Sequence, residues 1–171
     1  MENYKTILFT SNLSENSRYA FTHAALMAKN FGSKVVLLYV IDRMPRQLQY
    51  RITGIFGESR WNEILKRHMH EANRALTGKV SSKQLIEVAL SAFCDDEGVS
   101  GAGRRGGHEI IIKEGEVAQT ILEQSEQNNC DVIVMGANKG LLSGSAIGGT
   151  IKAVLKGAKV PVMVVPPAPV G

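Results

Sequence analysis

Apolar positions along the chain follow two periods. Short, continuously apolar runs occur at Lys5–Thr10 (KTILFT), Lys34–Ile41 (KVVLLYVI), Glu109–Lys113 (EIIIK), Asp131–Met135 (DVIVM) and Val160–Val165 (VPVMVV). They are rich in β-branched residues and read as strands. The second run is the longest, and its unbroken apolarity predicts a strand covered on both faces, as in a parallel sheet. Between the runs the spacing turns helical. Ser14 is placed to cap a helix with Ala20, Ala24, Met27, Ala28 and Phe31 on its apolar face, stopped by Gly32. Glu58–Thr77 aligns Trp61, Ile64, Leu65, Met69, Ala72 and Leu76, and Ser82–Cys94 aligns Leu85, Ile86, Ala89, Leu90 and Phe93. Glu116–Asn128 carries Val117, Ala118, Ile121 and Leu122, and a last helix turns Ile151, Val154, Leu155 and Ala158 inward. Two stretches read as connections: Arg43–Gly57, punctuated by Pro45, Gly54 and Gly57, and Asp95–Gly107, with five glycines and two arginines.

Strands alternating with helices imply a parallel sheet with helices on both faces. Right-handed crossovers narrow this to a doubly wound, five-stranded α/β fold. With the first strand central and the fourth beside it, the strand order is 3-2-1-4-5. Ligands in such sheets bind beyond the carboxyl ends of the strands where the order reverses. Two segments meet there: Thr10-Ser11-Asn12 after the first strand, and the chain from Gly136 onward after the fourth.

That second segment, MGANKGLLSGSAIGGT from Met135 to Thr150, holds Gly136, Gly140, Gly144, Gly148 and Gly149 and opens onto a helix. Glycines let backbone N–H groups approach an anion, and a helix start adds free donors and partial positive charge. Ser143, Ser145 and Thr150 would add hydroxyls, and Lys139 a point charge. The segment is neither a Walker A loop nor the Rossmann fingerprint, since GxxxxGK[ST] is missing and the glycines follow the fourth strand.

Composition and charge remove other classes. The chain has 171 residues, 44% of them apolar and 21% charged. That fits one globular domain spanning 1–171, with an extended loop and helix region at about 43–107. No apolar run reaches the length of a membrane span, and no leader is visible at the start. Two cysteines, Cys94 and Cys130, fit a reducing compartment, so a cytoplasmic location is expected. They read as buried thiols rather than nucleophiles. The net charge is +4, and the basic stretch Gly101–His108 (GAGRRGGH) lacks interleaved aromatics, so it reads as a connector rather than a nucleic-acid contact. His68 and His70 sit two apart on a helix and point to opposite sides, which prevents a shared metal ion. His23 and His108 have no spaced partner, and Asp95-Asp96-Glu97 lacks EF-hand spacing. Arg43, Arg46 and Arg51 lie in the first connection, where they would gate a pocket or touch phosphates.

Ile7–Asp42 (ILFTSNLSENSRYAFTHAALMAKNFGSKVVLLYVID), Glu114-Gly115, and Asp131–Val165 (DVIVMGANKG through GGTIKAVLKGAKVPVMVV) together resemble the universal stress protein family. The resemblance implies an adenine-nucleotide α-hydrolase-like fold and a homodimer paired through the last strand, Val160–Val165. It also implies, for many members, ATP or AMP held through G-x2-G-x9-G-[ST]; other members lack that pattern and do not bind nucleotide. This chain departs from the pattern. Gly136 matches the first glycine, but Lys139 takes the second place and Gly140 follows. Counting back from the last strand puts the third glycine at Gly148, with Gly149 in the hydroxyl place; counting forward puts them at Gly149 and Thr150. Where nucleotide-binding members carry an aspartate after the first strand, this chain has Asn12, which loses the charge and adds donors. By the same resemblance Thr10, Ser11, Val40 and Met135 would line the base pocket. The expected function is cytoplasmic binding of ATP or AMP, with or without Mg, at the ends of strands one and four. The alternative is a dimeric scaffold with a degenerate glycine loop. Asp42 is the only plausible metal-binding carboxylate at the strand ends, and no general base stands near the glycines, so hydrolysis is expected to be slow at most.

Overall fold

The computed structural model describes residues 3–43, 47–72, 81–99, 106–137 and 148–170, with 69–72 given by backbone alone. Five parallel strands, β1 (Thr6–Thr10), β2 (Lys34–Ile41), β3 (His108–Glu114), β4 (Val132–Gly136) and β5 (Val162–Val165), form one sheet in the order β3-β2-β1-β4-β5. The expected 3-2-1-4-5 arrangement is thus the observed one. Among the described residues six helices pack on it: α1 (Glu15–Phe31), α2 (Leu48–Phe56), α3 (Glu58–Ala72), α4 (Ser82–Glu97), α5 (Val117–Gln127) and α6 (Gly149–Gly157).

Alternate residues of each central strand feed opposite faces. Ile7, Phe9, Val35, Leu37, Tyr39, Val132 and Val134 face α1 to α4. Leu8, Val36, Leu38, Ile133 and Met135 face α5 and α6. Both sets are buried, so the sequence shows continuous apolarity where a half-exposed strand would alternate. At the amino end of the sheet the Asp131 carboxylate accepts from the backbone N–H groups of Lys5 (2.7 Å) and Thr6 (2.9 Å). That contact ties the start of β1 to the start of β4.

Two expected connections are helical in part. Residues 48–56 form α2 because Leu48, Ile52 and Phe56, spaced four apart, are buried against the α1–α4 layer. Gly54 lies within this helix, and Gly57 ends it with a positive φ of 83°. Residues 95–97 complete α4, which stops at Gly98 in the left-handed conformation, with Val99 N–H reaching back to the Cys94 carbonyl (2.9 Å). Asp96 bridges Arg18 (3.0 Å) and Arg60. Phe31 and Leu155, expected inside, are 41% and 46% exposed. Leu76 and the arginine pair 104–105 lie outside the described residues, as do the side chains of Met69, His70 and Ala72.

Candidate nucleotide cleft

The reversal of strand order between β2-β1 and β4-β5 opens a crevice at the carboxyl edge of the sheet. Its volume is about 420 Å³, within the range of small-molecule sites. Of the residues expected to form a site, Thr10, Ser11, Asn12, Val40, Met135, Gly136, Gly148, Gly149 and Thr150 all line it. Lys139, Gly140, Gly144, Ser143, Ser145 and Arg46 lie outside the described residues.

The β1 wall is a locked polar turn. Ser11 N–H extends the ladder to the Leu38 carbonyl (3.0 Å). Leu13 N–H then donates to Ser11 Oγ (3.0 Å), which also meets Ser17 Oγ at 3.0 Å. Ser14 caps α1 by accepting from Ser17 N–H, and the Ser17 side chain returns the contact to Ser14 N–H. Ser14 N–H also donates to Asn12 Oδ1 (3.1 Å). The Asn12 side chain thus makes a local contact through Oδ1, and unlike a carboxylate it brings an uncharged amide with Nδ2 donors to the lining.

The opposite walls differ in chemistry. β2 contributes Tyr39 and Val40, followed by exposed Asp42 and Arg43. Burial pushes the Tyr39 phenol above its ordinary value, with Arg51 opposing and Asp42 adding to the shift, so the group stays protonated at neutral pH. From α2, Arg51 donates through Nη1 to the Asn12 carbonyl (3.0 Å). Val40, Val117 and Met135 give the crevice an apolar strip.

Gly136 is the last residue of β4 rather than the start of the loop. A Cβ there would sit 3.0 Å from the Asn16 carbonyl oxygen and 3.4 Å from Ala20 Cβ. Close approach to α1 therefore accounts for this glycine without a ligand. Gly148 and Gly149 are different, since a Cβ at either would meet open space. Gly148 is the N-cap of α6 and offers no side-chain cap, and Lys152 N–H donates to the Gly148 carbonyl (3.0 Å). Among the described residues no acceptor meets the amides of Gly149, Thr150 and Ile151, which form the first turn of α6 at the rim, with the positive end of the helix dipole behind them.

Ser17, Tyr39, Val117 and Ile151 complete the lining and were not anticipated. Ser17 was findable as the third helical residue after the Ser14 cap, whereas the other three are apolar or aromatic residues with no polar signature. Asp42 is the only carboxylate among the described lining residues, and its Oδ1 takes the N–H of Arg43 (2.6 Å). The histidines and cysteines lie elsewhere. Burial raises the Cys94 thiol to about 12 and the Cys130 thiol to about 11, so both are protonated and unreactive at neutral pH.

Comparison with known proteins agrees with this arrangement. The model of the universal stress protein family matches residues 3–166. A universal stress protein of Methanocaldococcus jannaschii is 29% identical over 163 residues, which cover 95% of this chain and 82% of the relative. The structure of universal stress protein UspA from Lactobacillus plantarum superimposes with a TM-score of 0.64 at 19% identity, covering 96% of this chain and 99% of the other. The universal stress protein from Archaeoglobus fulgidus, solved in complex with dAMP, gives a TM-score of 0.55 at 14% identity, covering 96% and 99%. With nearly the whole chain matched and the strand order in agreement, the protein belongs to the universal stress protein family.

Proposed function

We propose that the crevice binds an adenine nucleotide, ATP or AMP, with its phosphate end at the amino terminus of α6. The observation that carries this is the first turn of α6 at Gly149, Thr150 and Ile151, set beside the apolar strip of Val40, Val117 and Met135. One end of the crevice offers donors to an anion and the other offers contact area to a flat heterocycle. The dAMP complex of a fold relative supports the choice of base. Asn12 Nδ2 is the donor for an acceptor atom of the ligand, while Oδ1 already takes the Ser14 N–H. Asp42 is the group available to a Mg ion accompanying ATP.

Titration calorimetry with ATP, ADP and AMP, with and without Mg, tests the reading. Heats that saturate below millimolar ligand are expected, with a matching rise in melting temperature, since a ligand of the native state stabilises that state. Gly149→Asp separates binding from folding. The new side chain enters open space and its charge favours a helix start, so the melting temperature is kept or raised. The same charge repels a phosphate, and affinity falls about tenfold or more. Silence with all three nucleotides sinks the proposal and leaves the scaffold reading.

We also propose that two copies pair through β5. It is an edge strand of the sheet, with Met163 37% exposed, and apolar edges of this kind are ordinarily paired or covered. Sedimentation of the wild type as a dimer, and of Met163→Lys as a monomer, is the expected outcome; a wild-type monomer at micromolar concentration rejects it.

A further inference from the structure

Five arginines lie among the described residues. Arg18 and Arg60 are paired with Asp96, and Arg67 with Glu63. The remaining two, Arg43 and Arg51, have no carboxylate partner among the described residues, and both line the crevice. They enter it from the side away from α6. Arg43 follows β2, and Arg51 stands on α2, which packs on the α1–α4 face; α6 packs on the other face and caps the β4 side. β2 and β4 flank β1, so their ends lie about 10 Å apart at ordinary strand spacing. The crevice therefore has two separate attractions for anions: the α6 amides on one side and two guanidinium groups on the other. Asp42 is the one opposing charge among the described lining residues, and its carboxylate is turned to the Arg43 backbone N–H. Arg51 spends one donor on the Asn12 carbonyl and keeps the rest of its fork for a ligand.

We propose that the crevice selects a nucleotide bearing phosphate at two places, one on the 5′ position and one on a ribose hydroxyl, over a simple mononucleotide. The proposal rests on the nucleotide reading above and adds the second phosphate to it. One phosphate meets the first turn of α6. The other meets Arg51 and Arg43, whose planar donors match phosphate oxygens in pairs. A triphosphate carries similar total charge but gathers it at one end, so it engages one of the two places at a time. The uncharged Asn12 fits this arrangement, since an aspartate there would stand beside Arg51 and compete with the second phosphate.

Calorimetry on the full chain with AMP, ATP and adenosine 3′,5′-bisphosphate decides the matter. The bisphosphate is expected to bind about tenfold or more tightly than AMP, the effect of one or two charge-assisted contacts. This preference shrinks as salt is raised. Arg51→Gln costs the bisphosphate about tenfold, while AMP and ATP lose under about threefold. Arg51→Lys recovers part of the loss, and Arg43→Gln reproduces the pattern independently of the Arg51 contact to Asn12. Equal affinities for AMP and bisphosphate overturn the inference but leave nucleotide binding standing. So does an Arg51→Gln loss that is the same for all three ligands, which would signal a general field and not a second phosphate place. Failure of every ligand to bind overturns both readings.

Discussion

The two faces of the sheet solve the same burial problem with different materials. On the α1–α4 face an aromatic chain runs through the layer: Phe9 to Phe21 (5.0 Å between centroids), Phe21 to Phe93 (6.0 Å), Phe93 to Phe56 (5.9 Å) and Phe56 to a stacked Trp61 (5.7 Å). Arg18 and Arg60 lie over the Phe56 ring at 5.3 and 5.7 Å, and the same two residues clasp Asp96. The α5–α6 face is buried by aliphatic side chains, among them Leu8, Val36, Leu38, Ile121, Ile133 and Val154. Helix approach there is close enough that a Cβ on Gly157 would meet Leu122 Cδ1 at 2.6 Å. Large interlocking rings make the first layer costly to disturb, while the second is aliphatic and carries the first turn of α6 to the crevice. Both faces reach the crevice, but the aromatic mass that resists unfolding lies on one of them.

Truncations should expose that division. Phe93→Ala removes a ring touching two others and is expected to cost about 3–5 kcal/mol in urea unfolding. Ile121→Ala on the aliphatic face should cost less, about 2–3 kcal/mol. Equal losses would break the comparison.

The cysteines sharpen it through alkali. Each face buries one, Cys94 among the rings and Cys130 among the aliphatics. Burial is the main cause of both raised thiols, with Asp95 and Asp131 adding to it. A thiol ordinarily at 9.0 but held neutral in the fold favours folding below pH 9. Above that the unfolded chain releases its proton and the folded chain does not, so stability falls as pH rises. The Cys130 contribution is exhausted near pH 11, and that of Cys94 continues to about 12. Each should be on the order of 2 kcal/mol between pH 9 and 11, read as the flattening that Cys94→Ala or Cys130→Ala brings to the stability profile.

The smallest effect concerns a helix start. The Glu116 carboxylate caps α5 by accepting from Ala118 N–H (3.1 Å) and Gln119 N–H (2.7 Å). Glu116→Ala is expected to cost about 1 kcal/mol in the same unfolding measurement.

Much of this architecture is legible in the linear chain because its signals are local. The runs at β1, β2 and β4 announce buried strands, Ser14 and Gly32 bracket α1, and the alternation of elements narrows the fold to a doubly wound sheet, whose order follows once β1 is placed centrally beside β4. What escapes depends on partners far away in sequence. Helix α2 has only Leu48, Ile52 and Phe56 to mark it, and Pro45, Gly54 and Gly57 mask that stripe. Asp96 reads as a solvated helix end until Arg18, 78 residues away, arrives to pair with it. At the crevice, Thr10, Ser11 and Asn12 are recoverable because strand ends at a reversal are a topological expectation. Arg51 joins them only once α2 exists to carry it. Gly136 has a second cause that the linear chain does not show: it lines the crevice as expected, and the Asn16 carbonyl packed against it leaves little room for a Cβ.

Leu13 has a further consequence. It holds a left-handed φ of 55° with its side chain wholly buried. For a residue with a Cβ this conformation costs about 1–3 kcal/mol, and burial of the leucine together with the Ser11 contact sustains it. The peptide between Asn12 and Leu13 is consequently set in orientation before any guest arrives. A guest docking on that wall forfeits little entropy in organising it, so the first half of recognition resembles a key meeting a cut lock.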